Sequence, residues 1–130
     1  MKLKHGFTLM EIMVTIVIVG VLATLAVTYM SAVRESVADR EANANLKMIQ
    51  AAEKAYRIDM GTYFPSAGSE WSIAAINSGL RFSLSGGSDR NWDYAVWSTG
   101  CSRATRNGSG NRQWFLAINA AEPTSSGSCP

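Results

Sequence analysis

Residues 12–33 form an uninterrupted run of 22 residues without a charge, and one carboxylate, Glu11, stands immediately before it. About 20 predominantly apolar helical residues are enough to cross the hydrocarbon core of a bilayer. A helix that is apolar on every side must lie in lipid or against other helices. This run is therefore long enough to span a bilayer. The overall hydrophobic content, 47%, is ordinary for a soluble protein, so the constraint comes from where the apolar residues fall.

Glu11 needs its own explanation. An acid near the middle of a membrane helix costs on the order of 2.5–3.5 kcal/mol on insertion scales, and less near an end, where the side chain reaches the interface. The chain before it is short and basic: Lys2, Lys4 and His5, then Gly6 and Phe7. A secretory signal has a basic region, 7–15 apolar residues and a small-residue cleavage site. Here the apolar run is longer and an acid opens it, while Ala23, Ala26 and Ala32 lie inside a continuing helical pattern. Cleavage after Gly6 would instead place a positive α-amine on Phe7, four residues from Glu11, or about 6 Å of helical rise. An amine and a carboxylate in an apolar setting attract and partly offset each other's desolvation. If identical helices pack with an axial stagger of about one turn, the amine of one meets Glu11 of the next.

The sequence Gly6-Phe7-Thr8-Leu9-Met10-Glu11 followed by this apolar helix resembles the N-terminus of type IV prepilins and type II secretion pseudopilins. The resemblance spans about residues 1–60 and rests mainly on 4–30. It implies cleavage between Gly6 and Phe7 by a prepilin peptidase at the cytoplasmic membrane face, and N-methylation of Phe7. It also implies pairing of Glu11 with the N-terminal amine of a neighbouring subunit. Two positions depart from the common pattern. His5 stands where Lys or Arg is frequent, and Thr28 stands where many members have Pro, which leaves Gly20 as the only helix-weakening residue of the run.

No Pro or Gly occurs in residues 29–60. Apolar side chains recur there at Val33, Val37, Leu46, Ile49, Ala52 and Tyr56, close to helical spacing. Glu53 and Arg57 are placed for an i, i+4 pair. Gly61 suits a C-cap and Pro65 prevents resumption. The spacing predicts one helix from Phe7 to Met60. The mixed charges of Arg34, Glu35, Asp39, Arg40 and Glu41 read as a solvated helix face.

The remainder is small and needs help to stay folded. Residues 61–79 are rich in Ser, Gly and Pro and read as a connection, with a short helix or turn over 71–76. Alternation at 80–84, 92–98 and 114–119 predicts strands, with turns at 85–89 and 107–111. A three- or four-stranded antiparallel sheet on the second half of the helix follows. Cys101 and Cys129 are the only cysteines. In an exported domain two cysteines pair, and in the cytosol they stay reduced. Paired, they stabilise by about 3.5 kcal/mol on the chain-entropy model. Such a pair resembles the disulfide-bounded C-terminal region of type IV pilins. The type II secretion major pseudopilin usually lacks it and carries an acidic calcium loop. Here Asp89, Asp93 and Glu122 are scattered, so no calcium site is expected.

The reading is an α+β chain with the type IV pilin fold: a cleaved basic leader (1–6), a transmembrane and assembly helix (7–33), its amphipathic continuation (34–60), an αβ-loop (61–79), and an antiparallel sheet with a disulfide-bounded end (80–130). The only histidine is His5, and there is no nucleophile motif or phosphate loop, so catalytic, cofactor-binding and metal residues are not expected. Net charge is +2, and without Lys2 and Lys4 the remaining basic and acidic residues balance. Arg103, Arg106 and Arg112 are taken as solvated loop charges, which gives a nucleic-acid role little support. The expected function is that of a structural pilin subunit: an inner-membrane precursor, held in lipid, that is processed by the peptidase. Assembly machinery then builds it into an extracellular homo-oligomeric filament for adhesion, motility or DNA uptake. A pseudopilin of a secretion or competence system is the alternative, and a membrane-anchored binding module that never polymerises is a second one.

Overall fold

The computed structural model describes residues 6–108 and 111–129, with the backbone alone at 27 and 28. Lys2, Lys4 and His5 of the leader, Ser109 and Gly110 of the expected turn, and the side chain of Thr28 lie outside the described residues. Contacts divide the chain into two units, meeting between Val37 and Ala38.

The first element, α1 (Leu9–Met60), runs for 52 residues. It begins two residues later than expected because Thr8 is an N-cap. The Thr8 carbonyl accepts the N–H groups of Glu11 and Ile12, and its hydroxyl accepts that of Glu11. A Thr followed three residues later by Glu is the capping-box spacing. At the other end Gly61 adopts φ +80° and donates its N–H to the Arg57 carbonyl, which closes the helix.

In the second unit α1 buries a stripe at Ala38, Ala42, Leu46, Ile49 and Glu53, steps of three and four residues that keep one face inward. The expected face is corrected at its start: Val33 and Val37 are exposed, and the small Ala38 and Ala42 pack instead. The indole of the fully buried Trp92 donates to the Ala38 carbonyl at 2.8 Å, so a large ring and a small helical residue fill that contact together.

Against this stripe packs an antiparallel sheet of β1 (Ser69–Glu70), β2 (Trp92–Trp97), β3 (Ser102–Arg106) and β4 (Gln113–Leu116), in that order. Trp92, Tyr94 and Val96 face the core with Ala104 and Leu116, as alternation along a strand requires. A helix α2 (Ile73–Leu80) covers one end through Ile73, Ile76 and Leu80. Ser72 caps it by accepting the Ala75 N–H.

The predicted strand at 80–84 is absent. Leu80 ends α2, and Arg81 takes the left-handed conformation at φ 56°. The Asn77 side chain then binds the backbone of Leu84 twice, accepting its N–H at 2.8 Å and donating to its carbonyl at 3.0 Å. Leu84 is buried by that side-chain bridge, which satisfies its backbone as a neighbouring strand would. The third predicted strand is also shorter. Beyond Leu116 the carbonyls of Ala117, Ile118 and Ala120 turn to the Gln50 amide, at 2.9, 3.2 and 2.8 Å. β3 occupies the stretch read as loop, so Arg103 and Arg106 are strand residues.

Candidate functional site

In the first unit the described side chains of α1 up to Val37 are exposed on every side, including Ile16, Val17, Leu22 and Met30. Sequence accounts for the helix there. The run lacks Pro, and its polar side chains look after themselves. Thr15 donates to the Ile12 carbonyl at 2.8 Å and Thr24 to the Val21 carbonyl at 2.7 Å, the back-bonding that lets hydroxyls sit in an apolar helix. Gly20 has open space around it. Among the described residues this is the one helix long and apolar enough to cross a membrane.

The three sequence-singled residues lie at its start. Gly6, Phe7 and Thr8 precede the first turn, and Phe7 is 77% exposed. Glu11 occupies the third helical position, where the macrodipole favours a carboxylate. Its carboxylate makes no hydrogen bond or ion pair among the described residues. Thr8 is the residue that sequence reasoning passed over here, and its spacing to Glu11 was the available signal.

The second unit holds Cys101 and Cys129 in a disulfide, with Cα atoms 5.6 Å apart. Phe115 and Thr124 exchange backbone hydrogen bonds at 2.8 and 2.9 Å, so the tail is also tied to β4. Among the described residues, ion pairs join the residue before β4 and the tail to α1. Arg112 meets Asp39 at 3.0 Å, and Lys47 meets Glu122 at 2.7 Å. The Trp114 indole adds a bond to Asp39 at 3.3 Å. The Glu53–Arg57 pair expected from spacing is not made. Glu53 turns into the core, where Oε2 accepts the Phe64 N–H at 2.9 Å, while Arg57 donates to the Tyr63 hydroxyl.

Burial pushes the Glu53 carboxyl up to about 7, with the Phe64 N–H acting in the opposite direction. Burial likewise pushes the Tyr94 phenol up to about 12; the amide of Asn45, donating at 2.8 Å, counters this and the Glu41 carboxylate adds to it. Among the described residues no group of three or more His, Cys, Asp or Glu side chains is placed to hold a metal ion.

Residues 1–27 match the family model described as the prokaryotic N-terminal methylation motif. By that motif the N-terminal part of the chain is similar to type IV pilins and pseudopilins. Relatives of this pilin-like chain include proteins named type II secretion system core protein G. That of Klebsiella pneumoniae is 38% identical over 63 residues, covering 48% of this chain and 45% of the relative. Those of Pectobacterium carotovorum subsp. carotovorum and Escherichia coli K12 are each 38% identical over 60 residues, covering 46% of this chain and 38% and 41% of the relatives. The chain thus spans under half the length of the curated relatives it matches. No solved structure matches it. A long N-terminal helix followed by a small antiparallel sheet is the pilin architecture, and the chain has it.

Proposed function

We propose that this pilin-like chain is a pseudopilin: a structural subunit, not an enzyme, that assembles through its N-terminal helix into a periplasmic filament of a type II secretion system. What carries the reading is the pairing of the methylation motif at residues 1–27 with relatives named as type II secretion core proteins. The physical logic is that an all-round apolar helix has two places to go, lipid or other helices. The precursor rests in the inner membrane. Prepilin peptidase cuts between Gly6 and Phe7, Phe7 is methylated, and the new amine pairs with Glu11 of a neighbour. A repeated head-to-tail contact that does not close on itself builds a helical filament. Before cleavage the basic leader is attached to Phe7 and the positive partner of Glu11 does not exist.

A second reading, an extracellular type IV pilin, draws support from the Cys101–Cys129 pair, which resembles the disulfide-bounded end of that group. Fractionation decides between them. A chain recovered in short periplasmic assemblies, released only on opening the outer membrane, supports the pseudopilin; a chain recovered in filaments sheared from intact cells supports the pilin. In either setting Glu11→Val, mixed with wild-type subunits, is expected to drop out of the assembled fraction. Incorporation at wild-type level sinks the pairing.

A further inference from the structure

The sheet face opposite the one that packs on α1 carries a groove of about 370 Å³, lined by Trp71, Arg90, Asp93, Arg103, Thr105 and Gln113. Arg103 sits at its centre, opposite Ala95 of β2 and Phe115 of β4. Its guanidinium carbon lies 4.4 Å from the Trp71 ring centre and 5.2 Å from that of Trp97. The two indoles meet edge to face at 5.5 Å. Cation–π contact of this kind attracts a guanidinium to the rings, but it engages the π-face and uses none of the five N–H donors.

Among the described residues the Arg103 side chain makes no hydrogen bond or ion pair, and its Nε is buried without an acceptor. Arg90, in the same groove, differs: its Nε donates to Asp93 at 2.6 Å, so that pair is already neutralised. Buried donors in native proteins are almost always paired, and each exception calls for a reason. The Thr105 hydroxyl and Gln113 amide line the same groove and add donors around one uncompensated cation.

We infer that this groove binds a carboxylate carried by a partner polypeptide, an acidic side chain or a C-terminus. One carboxylate accepts two parallel hydrogen bonds from the Nη groups of Arg103 in the bidentate arrangement. Its remaining lone pairs take the Thr105 and Gln113 donors. A small outward shift of the guanidinium toward the ligand brings Nε out of its unsatisfied position. The charge count selects the ligand. With Arg90 committed to Asp93, the groove offers a single positive charge, and the Asp93 carboxylate stands beside it. That suits a monoanion. A nucleic-acid backbone needs several cations along its track. The exposed face of Trp71 supplies an apolar wall for the residues flanking the carboxylate. The site uses neither Glu11 nor the apolar helix, so it stands or falls separately from the assembly proposal.

The test follows the Arg103 Nε–H resonance in the full chain in detergent micelles, with ¹⁵N-labelled arginine. An N-acetylated Gly-Glu-Gly amide is expected to shift it saturably, with half-saturation below about 10 mM. The Gly-Gln-Gly amide is expected to leave it unmoved. On tryptophan fluorescence, Arg103→Gln abolishes binding of the glutamate peptide, and Arg103→Lys weakens it by about tenfold because charge survives and the planar fork does not. Thr105→Val weakens it by a few-fold with the sheet intact, which separates ligand loss from misfolding. No saturable shift with the glutamate peptide, or an equal response to the glutamine peptide, overturns the site. Acetate binding as tightly as the peptide overturns the polypeptide source. Tighter binding of inorganic phosphate or oligothymidylate overturns the carboxylate.

Discussion

Glu53→Gln tests the core against pH. The Glu53 carboxyl is 1% exposed. Its Oε2 accepts the Phe64 N–H at 2.9 Å, and its Oε1 is buried with no partner. Burial raises its pKa from 4.5 to about 7. An acid whose folded pKa lies above its unfolded value holds more protons folded than unfolded between the two, so stability falls as pH rises through that window. The contribution is fully present below pH 4.5 and lost once pH passes about 7. A shift of about 2.5 pH units corresponds to about 3 to 4 kcal/mol at about 1.4 kcal/mol per unit, about 3 kcal/mol of it between pH 4.5 and pH 8.5. Glutamine keeps an oxygen for the Phe64 N–H and cannot ionise. Its amide nitrogen then faces the position where Oε1 has no partner, an unsatisfied donor that costs about 1–3 kcal/mol at every pH. The variant is therefore expected to be the less stable protein at pH 4.5 and equal to or more stable than wild type at pH 8.5. The quantity to read is the wild-type minus variant difference. Other groups titrate alike in both proteins and cancel, and the orphan cost is constant. Urea unfolding of the full, oxidised chain in micelles, followed by tryptophan fluorescence, gives that difference at each pH. A change of about 3 kcal/mol supports the argument. A difference constant to within about 0.5 kcal/mol refutes it, and with it the raised pKa of Glu53 in the folded core.

Gly79→Ala places a methyl inside the Phe64 ring, so overpacking is expected to cost about 1–3 kcal/mol in the same unfolding assay; a loss below about 0.5 kcal/mol would show that Phe64 moves aside freely. Leu46→Ala removes a fully buried side chain from the centre of the α1 stripe and is expected to cost about 2–5 kcal/mol, and a neutral result would contradict the packing described. Cys129→Ser opens the 28-residue separation closed by the disulfide and is expected to cost about 3.5 kcal/mol. Alkylation of native protein without reductant should label neither cysteine, and labelling of both contradicts the bond.

How legible this chain was depended on where its determinants lie. The membrane-competent helix needed no tertiary knowledge, because charge-free length is a local property and residues 12–33 declare it. The same holds for the Gly61 stop and for the core face of β2, where Trp92, Tyr94 and Val96 are buried as alternation requires, although Ala95 on the other face is buried as well. The failures are places where a distant partner decides. Leu80, Phe82 and Leu84 alternate like a strand, but the Asn77 amide captures Leu84 and Leu80 closes α2. β3 was hidden because Ser102, Arg103 and Arg106 look like loop residues. They form a strand because β2 and β4 flank them on both sides. Glu53 invited an i, i+4 pairing, yet it falls four residues after Ile49 on the buried stripe. Periodicity read without prejudice against an acid would have put it inside. In the N-terminal segment Gly6, Phe7 and Glu11 stood out from sequence alone, while the Thr8 cap went unread though its spacing was plain. The Arg103 groove was the least visible part, since it exists only once β1 to β4 bring Trp71, Trp97 and Arg103 together.

The central claim is that Glu11 awaits a charge that exists only after the leader is cut. Intact-mass and N-terminal fragment spectra of the chain, taken from whole membranes and from the assembled fraction of the same cells, test it most directly. Assembled subunits are expected to begin at Phe7 and to be heavier there by one methyl group, with the uncut form confined to the membrane. Assembled subunits that still begin at Met1 would contradict it.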